Sequence, residues 1–342
     1  MTEIDAREVP QLRNLAVAVL PSSPVASPSI LMKFLRSLGI AGAVLAAIGG
    51  FAFKTLLPKS TAEGVAMGKY MLGDSGLLSD GVGKHFFPWK AAFWTMMPGM
   101  RMVISPPGGN SHLATRTWFY DEQILAALQP GWQVVICGAG FDTRAYRMHV
   151  PRGVRFFELD LAEHPGVQNY KRRQLERNGI LSAPNVTFLP IDFKSDSISD
   201  VLARGGHDPK QPTVFLLEGV TMYLTREAIA STVAEMKAVS APGSLLLCEL
   251  FDARLLTEAA KDDPVLGKYW MGVTMMGEPY SFGVEPARMR EFWTKDNGVK
   301  IVAHKTPEEQ YDEWMDTPGA AVIDDGLLPH GGICHLFSLR LK

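Results

Sequence analysis

With 342 residues, 46% of them hydrophobic and 20% charged, the chain is long and apolar enough to bury one large α/β core with an added cap. Its formal charge of −2 gives no electrostatic reason to expect nucleic acid, whose phosphates favour a strongly basic face. The three cysteines, Cys137, Cys248 and Cys334, sit singly in apolar runs, and the eight histidines make no H-x-x-x-H or C-x-x-C arrangement. Buried thiols and no metal are expected.

In chain order, residues 1–29 carry Glu3, Asp5 and Glu8 and a Pro/Ser-rich stretch from Pro21 to Ser29. That is not the short basic start of a cleaved secretory signal, and it reads as a disordered segment. Residues 30–57 read as a hydrophobic helix in which Ser37 to Phe53 is uncharged, bracketed by Lys33, Arg36 and Lys54. A bilayer span takes roughly 17 to 25 apolar residues, so this 17-residue run lies at the lower limit. Two expectations stand side by side. The run is an uncleaved membrane anchor that leaves the rest of the chain facing the cytoplasm, or it is a helix packed on the main domain of a cytoplasmic protein. Gly39, Ala43, Ala46 and Gly50 supply small surfaces that suit either.

Downstream, the spacing predicts helices over Thr61 to Leu72 and His112 to Leu128, and Ala91 to Met102 is rich in aromatics and methionine. Strands are predicted at 132–137, 154–159, 186–190, 213–218, 244–250, 299–304 and 333–340, with helical patterns at 165–178, 225–239 and 285–295. Such alternation predicts a doubly wound, mostly parallel seven-stranded sheet with right-handed crossovers and helical N-terminal additions. The basic run Lys171-Arg172-Arg173 reads as the solvated face of a helix.

The most informative segment follows the first strand, Val134-Val135-Ile136-Cys137: it is Gly138-Ala139-Gly140-Phe141-Asp142-Thr143-Arg144-Ala145-Tyr146-Arg147. Two glycines where a buried strand turns into a helix let the backbone approach a ligand, and the helix start presents unpaired N–H groups. This is a nucleotide-cofactor loop. A dinucleotide fingerprint wants glycine where Thr143 stands, which weakens a pyrophosphate reading. The second strand, Val154 to Asp160, ends in acids about twenty residues after the glycines, where a carboxylate reaches ribose hydroxyls. NAD and S-adenosylmethionine both carry a ribose, so the acid does not separate them. Glu218 closes the very apolar run Val214 to Leu217, where an unpaired carboxylate would be costly unless a ligand or backbone donor meets it.

The segments Gly138 to Arg147, Phe157-Glu158-Leu159-Asp160 and Phe215 to Leu224, together with Ala114-Thr115-Arg116-Thr117-Trp118-Phe119-Tyr120-Asp121, resemble the signature segments of the leucine carboxyl methyltransferase family, in order and from about Thr61 to the C-terminus. The glycine loop is more similar to the microbial small-molecule branch, which includes polyketide O-methyltransferases. The resemblance implies a Rossmann-like class I methyltransferase domain over 58–342, with an antiparallel last strand and S-adenosyl-L-methionine as cofactor. It further implies that Gly138 and Gly140 lie against the methionine portion and ribose, and that Arg116 grips the methionine carboxylate. Asp160 would accept from the ribose hydroxyls, with Glu158 as second candidate, Asp192 from the adenine amine with Phe193 flanking the ring, and Glu218 would meet the amino-acid part. Arg144 and Arg147 are expected to be structural, with Asp142 capping the following helix.

The implied activity moves a methyl group to a carboxylate or hydroxyl oxygen of a small apolar molecule, the protein supplying proximity, alignment and exclusion of water. No general base is evident, which leans toward carboxyl methylation; His85, His164 and Tyr223 are the alternatives. Lys84 to Met102 and Tyr269 to Phe282 are expected to wall the substrate. Two other readings remain: a nicotinamide-dependent dehydrogenase, against which Thr143 and the missing Tyr-x-x-x-Lys pair count, and a membrane-tethered cofactor-binding protein without turnover. The sequence leaves the oligomeric state open.

Overall fold

The computed structural model describes residues 60–86, 108–161, 167–180, 185–193, 195–275 and 277–342. The chain divides into two units, Met1–Leu57 and Pro58–Lys342, and the described residues belong to the second. The expectations for residues 1–57, for Ala91 to Met102 and for His164 fall outside them. Among the described residues no helix is long and apolar enough to cross a membrane; the 37–53 run is not among them.

In chain order the elements are α1 (Thr61–Asp74), α2 (Gly109–Ala127), β1 (Gln133–Cys137), α3 (Arg144–Arg147), β2 (Arg155–Asp160), α4 (Val167–Arg177), β3 (Val186–Pro190), α5 (Ile198–Arg204), β4 (Thr213–Leu217), α6 (Arg226–Ala238), β5 (Leu245–Phe251), α7 (Glu258–Asp262), α8 (Leu266–Met275), α9 (Pro286–Glu291), β6 (Lys300–Lys305), α10 (Pro307–Met315) and β7 (Cys334–Arg340). All seven predicted strands form. They make one sheet in the order β3-β2-β1-β4-β5-β7-β6, in which β7 alone runs antiparallel to its neighbours. The pattern at 285–295 is divided: α9 gives way to a π-turn, Phe292–Asp296, which buries Phe292 and Trp293.

The central strands are buried along their whole length, as in a sheet covered on both faces. Side chains alternate between two cores with the period of two that a strand imposes. Val135, Cys137, Phe215 and Leu217 face a core closed by Val201, Leu202, Ile229 and Met236 of α5 and α6. Val134, Ile136, Val214 and Leu216 face one closed by Phe119, Tyr120 and Ile124 of α2. Cys137, Cys248 and Cys334 are free and buried in β1, β5 and β7.

Three local devices set the ends that matter. Ser60 caps α1 by accepting from the Glu63 N–H at 3.2 Å. Gly68 lets α1 lie close on α2, because a Cβ there would come 2.4 Å from Leu113 Cδ1. Thr306 and Glu309 form a reciprocal capping box on α10, whose Trp314 is fully buried and donates to Asp324 Oδ1 at 3.0 Å.

The expected solvated face of α4 is corrected at one residue. Arg172 and Arg173 are exposed, but Lys171 is completely buried and its Nζ lies 2.6 Å from Glu158 Oε2, itself fully buried in β2. The lysine stem crosses the helix–sheet interface because the Glu158 side chain leaves β2 on that face, and a buried carboxylate demands a cation.

Candidate functional site

Parallel pairing brings the carboxyl ends of β2, β1 and β4 side by side. Cys137 is in register with Leu159, so the chain leaving β1 is beside the acid that ends β2. The Ala139 N–H donates to the Leu159 carbonyl at 2.9 Å and the Gly140 N–H to Asp160 Oδ2 at 2.6 Å. Asp160 Oδ1 accepts from the Leu161 N–H at 2.7 Å. Gly138 has φ 67° and a Cβ there would lie 2.9 Å from Val220 Cγ2, so both conformation and the close approach of the segment after β4 call for glycine.

Where a dinucleotide loop would carry its third glycine, Thr143 is buried and occupied. Its hydroxyl donates to Asp80 Oδ2 at 2.7 Å and accepts from Arg147 Nε at 3.1 Å. Asp80 also takes the N–H groups of Val82 and Gly83, which ties the residues after α1 to the glycine loop. Asp142, expected as the cap, stands one residue before the N-cap of α3, which Thr143 holds without a side-chain cap bond; Asp142 accepts from the Arg144 N–H at 2.7 Å instead.

On the other side of the loop lies the densest charge cluster. Glu218 follows β4 directly and meets three cations: Lys69 Nζ of α1 at 2.7 Å, Arg116 Nη2 of α2 at 3.1 Å and Arg144 Nη1 of α3 at 2.7 Å. Arg144 also binds Asp121 at 2.7 Å and Asp142, and Arg147 binds Asp121 at 2.6 Å. Burial alone would raise the Glu218 pKa; Arg144, Lys69 and Arg116 outweigh it and hold the carboxylate well below its ordinary value. For Lys69 burial wins and the ammonium pKa falls, despite Glu218. Burial opposes the charge on Arg116, yet Glu218 and Glu249 hold its pKa above that of a free arginine. The turn that carries Glu218 is pinned from β5, where buried Glu249 accepts from the Gly219 N–H and, at 2.8 Å, from the Tyr120 hydroxyl.

The structure thus joins Arg116 with Glu218, and Gly140 with Asp160, on adjacent strand tips. Glu158 does not take part: it points into the sheet–helix interface and pairs with Lys171, as described above. Burial pushes its pKa up to about 7 although Lys171 pulls the other way. Asp192 follows β3, whose Pro190 is in register with Asp160, and the loop closes on itself through the Asp192 N–H to Asp196 Oδ2 at 2.8 Å. Phe193 is partly buried and packs on the core. Arg144 is as structural as expected, 1% exposed with three acidic partners, but it also shares Glu218. Lys69 was not read from the sequence. Its signal was weak, a single lysine in the helix TAEGVAMGKYMLGD, 149 positions before its partner.

Of the alternative bases, burial pushes Tyr223 up to about 12, so it is a hydroxyl donor at neutral pH. The Tyr269 to Phe282 segment does supply aromatic surface at this end of the sheet: Tyr280 lies 5.6 Å from both Tyr223 and Phe251 by ring centroid, and Phe251 ends β5.

The sheet order, the loop after β1 and the acids at the tips of β2 and β4 define a Rossmann-like methyltransferase of class I. Residues 68–237 match the family model described as leucine carboxyl methyltransferase. A protein of Parafrankia sp. (strain EAN1pec), named for S-adenosyl-L-methionine-dependent methyl transfer, is 32% identical over 225 residues, 60% of this chain and 71% of that one. A protein of Frankia alni with the same kind of name is 40% identical over 133 residues, 39% of this chain and 45% of its own length. A crystal structure titled a methyltransferase of Thermobifida fusca YX aligns at TM-score 0.48 and 16% identity over 76% of this chain and 92% of that one. The chain belongs to the leucine carboxyl methyltransferase family, and it is an S-adenosyl-L-methionine-dependent methyltransferase. The nicotinamide reading is thereby set aside.

The site suits that cofactor. Three cations converge on one carboxylate, and two buried guanidinium nitrogens, Arg116 Nε and Arg144 Nη2, have no hydrogen-bond partner. A zwitterionic amino-acid group complements this set, its carboxylate answering the cationic excess and its ammonium answering Glu218.

Proposed function

We propose that the enzyme methylates a carboxylate or hydroxyl oxygen of a small, apolar molecule, using the strand-tip cleft for the donor and the aromatic surface beside it for the acceptor. The observation that carries the donor half is the Lys69–Arg116–Arg144 cluster on Glu218 beside the glycine loop. In this reading Arg116 and Lys69 hold the donor carboxylate, Glu218 its ammonium, Asp160 the ribose hydroxyls and Asp192 the adenine amine, with Phe193 against the ring and Gly138 and Gly140 giving the backbone close approach. When bound, S-adenosylmethionine supplies a methyl group already activated by positive sulfur. The protein's own part is to orient and to exclude water: α1 and α2 close over the strand tips through Lys69 and Arg116, and Glu249 keeps the Glu218 turn from drifting. Tyr223, Tyr269, Tyr280 and Phe251 favour an apolar acceptor.

Asp160→Ala is expected to weaken S-adenosylmethionine binding by about 1.5 to 3 kcal/mol, on the scale of hydrogen bonds to a charged group, without unfolding the chain. Isothermal calorimetry on a variant with unchanged circular dichroism measures it, and an unaltered Kd removes Asp160 from the ribose role. Incubating the enzyme with methyl-labelled donor and an apolar metabolite extract, then locating the label by mass spectrometry, tests the acceptor. Label on nitrogen or carbon instead of oxygen would refute the proposed reaction. Saturable donor binding with no labelled product in any extract would favour the reading without turnover.

A further inference from the structure

The identity of the acceptor group is narrowed by two histidines that the sequence reading did not use. His112 lies one helical turn before Arg116 on α2, so the two side chains share a face. His330 reaches the same place from the far end of the chain. Its backbone is strapped across the start of α2: the Gly108 N–H donates to Asp325 Oδ2 at 2.7 Å, the His330 N–H donates to the Gly108 carbonyl at 3.1 Å, and a Cβ on Gly108 would come 2.1 Å from the Leu328 carbonyl oxygen. The strap sets the His330 ring edge-on to His112 at 4.6 Å, stacked on Tyr269 at 4.0 Å and edge-on to Phe251 at 4.8 Å.

Two features of this nest are costly unless a ligand answers them. First, His330 adopts φ 50°, and among the described residues no other non-glycine has positive φ; such a backbone costs on the order of 1 to 3 kcal/mol and persists where the surroundings impose it. Second, both imidazoles are buried, 3% and 7% exposed, and three of their four ring nitrogens, His112 Nδ1 and Nε2 and His330 Nδ1, have no hydrogen-bond partner. The fourth, His330 Nε2, lies 3.5 Å from the Tyr280 hydroxyl. Gln310 reaches His112 and can answer at most one of its two ring nitrogens; its Nε2 also donates to the Cys334 carbonyl at 2.8 Å and its Oε1 faces the Thr115 hydroxyl at 3.4 Å. Native folds seldom leave buried polar atoms unmatched without a functional reason.

Resting on the methyl-transfer reading above, we propose that His112 and His330 form the polar end of the acceptor pocket and take a neutral hydroxyl group, a phenol, enol or alcohol, in preference to a carboxylate. Burial, with Arg116 nearby, holds His330 at about 3, and burial with His330 and Arg116 holds His112 well below its usual value, so both rings are neutral. A neutral imidazole presents one N–H donor and one bare acceptor nitrogen. A hydroxyl is donor and acceptor in one and satisfies both kinds of atom. A carboxylate only accepts, and it would bring a further negative charge beside Arg116, which the reading above already shares between Glu218 and the donor's own carboxylate. The bare ring nitrogen accepts the hydroxyl's hydrogen bond and so orients its oxygen.

The probes are 2-naphthol and 2-naphthoate, which share a ring system and differ in the group at issue. Each is titrated by calorimetry into the full chain saturated with S-adenosylhomocysteine, in parallel with 15N spectra of histidine-labelled protein. The expected result is binding of 2-naphthol at least tenfold tighter than 2-naphthoate, movement of the His112 and His330 ring resonances by 2-naphthol, and a tenfold or greater loss of naphthol affinity in His112→Phe. Equal or tighter binding of 2-naphthoate, no binding of 2-naphthol, or ring signals that stay put at saturation would overturn the proposal. The spectra need no variant, so a His112→Phe chain that fails to fold leaves the test intact. Calorimetry with S-adenosylmethionine alone separates the two readings: a chain that does not bind the donor yet shows the naphthol shifts loses the donor assignment and keeps the pocket.

Discussion

Glu218→Gln is expected to cost the fold about 3 to 5 kcal/mol and to abolish measurable S-adenosylmethionine binding, the largest combined effect of any single substitution at the site. The carboxylate is the shared partner of Lys69, Arg116 and Arg144, and its side chain is only 9% exposed. Taking away its charge leaves three cations to share Asp142 and Asp121, both already bonded to Arg144, and Glu249, which already accepts from Tyr120 and Gly219. Because the folded-state pKa of Glu218 is depressed, its contribution is fully present above the ordinary carboxyl range and is lost as pH falls toward the folded value. Wild type should therefore lose its advantage over Glu218→Gln in urea titrations as the solution is acidified. Adding Lys69→Met to Glu218→Gln removes one uncompensated cation and should restore part of the stability without restoring donor binding. Recovery of both would mean that Glu218 only holds the helices together.

Lys171→Met is expected to destabilise the chain by a similar amount, about 3 to 5 kcal/mol, because it strands the Glu158 carboxyl in the interface between β2 and α4. The double substitution Lys171→Met with Glu158→Leu replaces the pair by apolar groups and should recover most of the loss. The pH dependence has the opposite sign to that of Glu218. Glu158 is raised to about 7 in the fold, so between its ordinary value and about 7 the unfolded chain has released the proton while the folded chain keeps it. Wild type should lose stability relative to Glu158→Gln as pH rises through that window, which melting temperatures at pH 4.5 and 7.5 measure. A constant difference between the two proteins would show that Lys171 keeps Glu158 ionised throughout.

Much of this molecule is legible in short windows. The runs QVVIC, TVFLL and LLLCELF become β1, β4 and β5 because a strand covered on both faces reads as a near-continuous apolar run, broken here by Gln133, Thr213 and Glu249, each buried with a hydrogen-bond partner. The glycine loop and Asp160 were legible together since parallel neighbours in register bring the end of one strand beside the end of the next. Arg116 was legible only through family wording and Glu218 also through the apolar run that it closes, and their direct contact at 3.1 Å was not visible in either segment. Thr143 counted against a dinucleotide loop, but its own task, bonding Asp80 from the residues after α1, needs the folded chain.

Local pattern thus decides which stretches become strands and helices and which strand ends carry glycine or acid, because periodicity and turn chemistry act over a few residues. Whether a charged side chain faces water, a ligand or another charge is decided by which distant element packs against it. Lys171 reads like its exposed neighbours and is sealed against Glu158; Lys69 finds Glu218 across 149 residues where α1 closes on α2 at Gly68; His330 meets His112 through a strap set by Gly108. Those pairings are long-range packing outcomes, and burial, which sets the energy of every charge among them, exists only in the assembled fold.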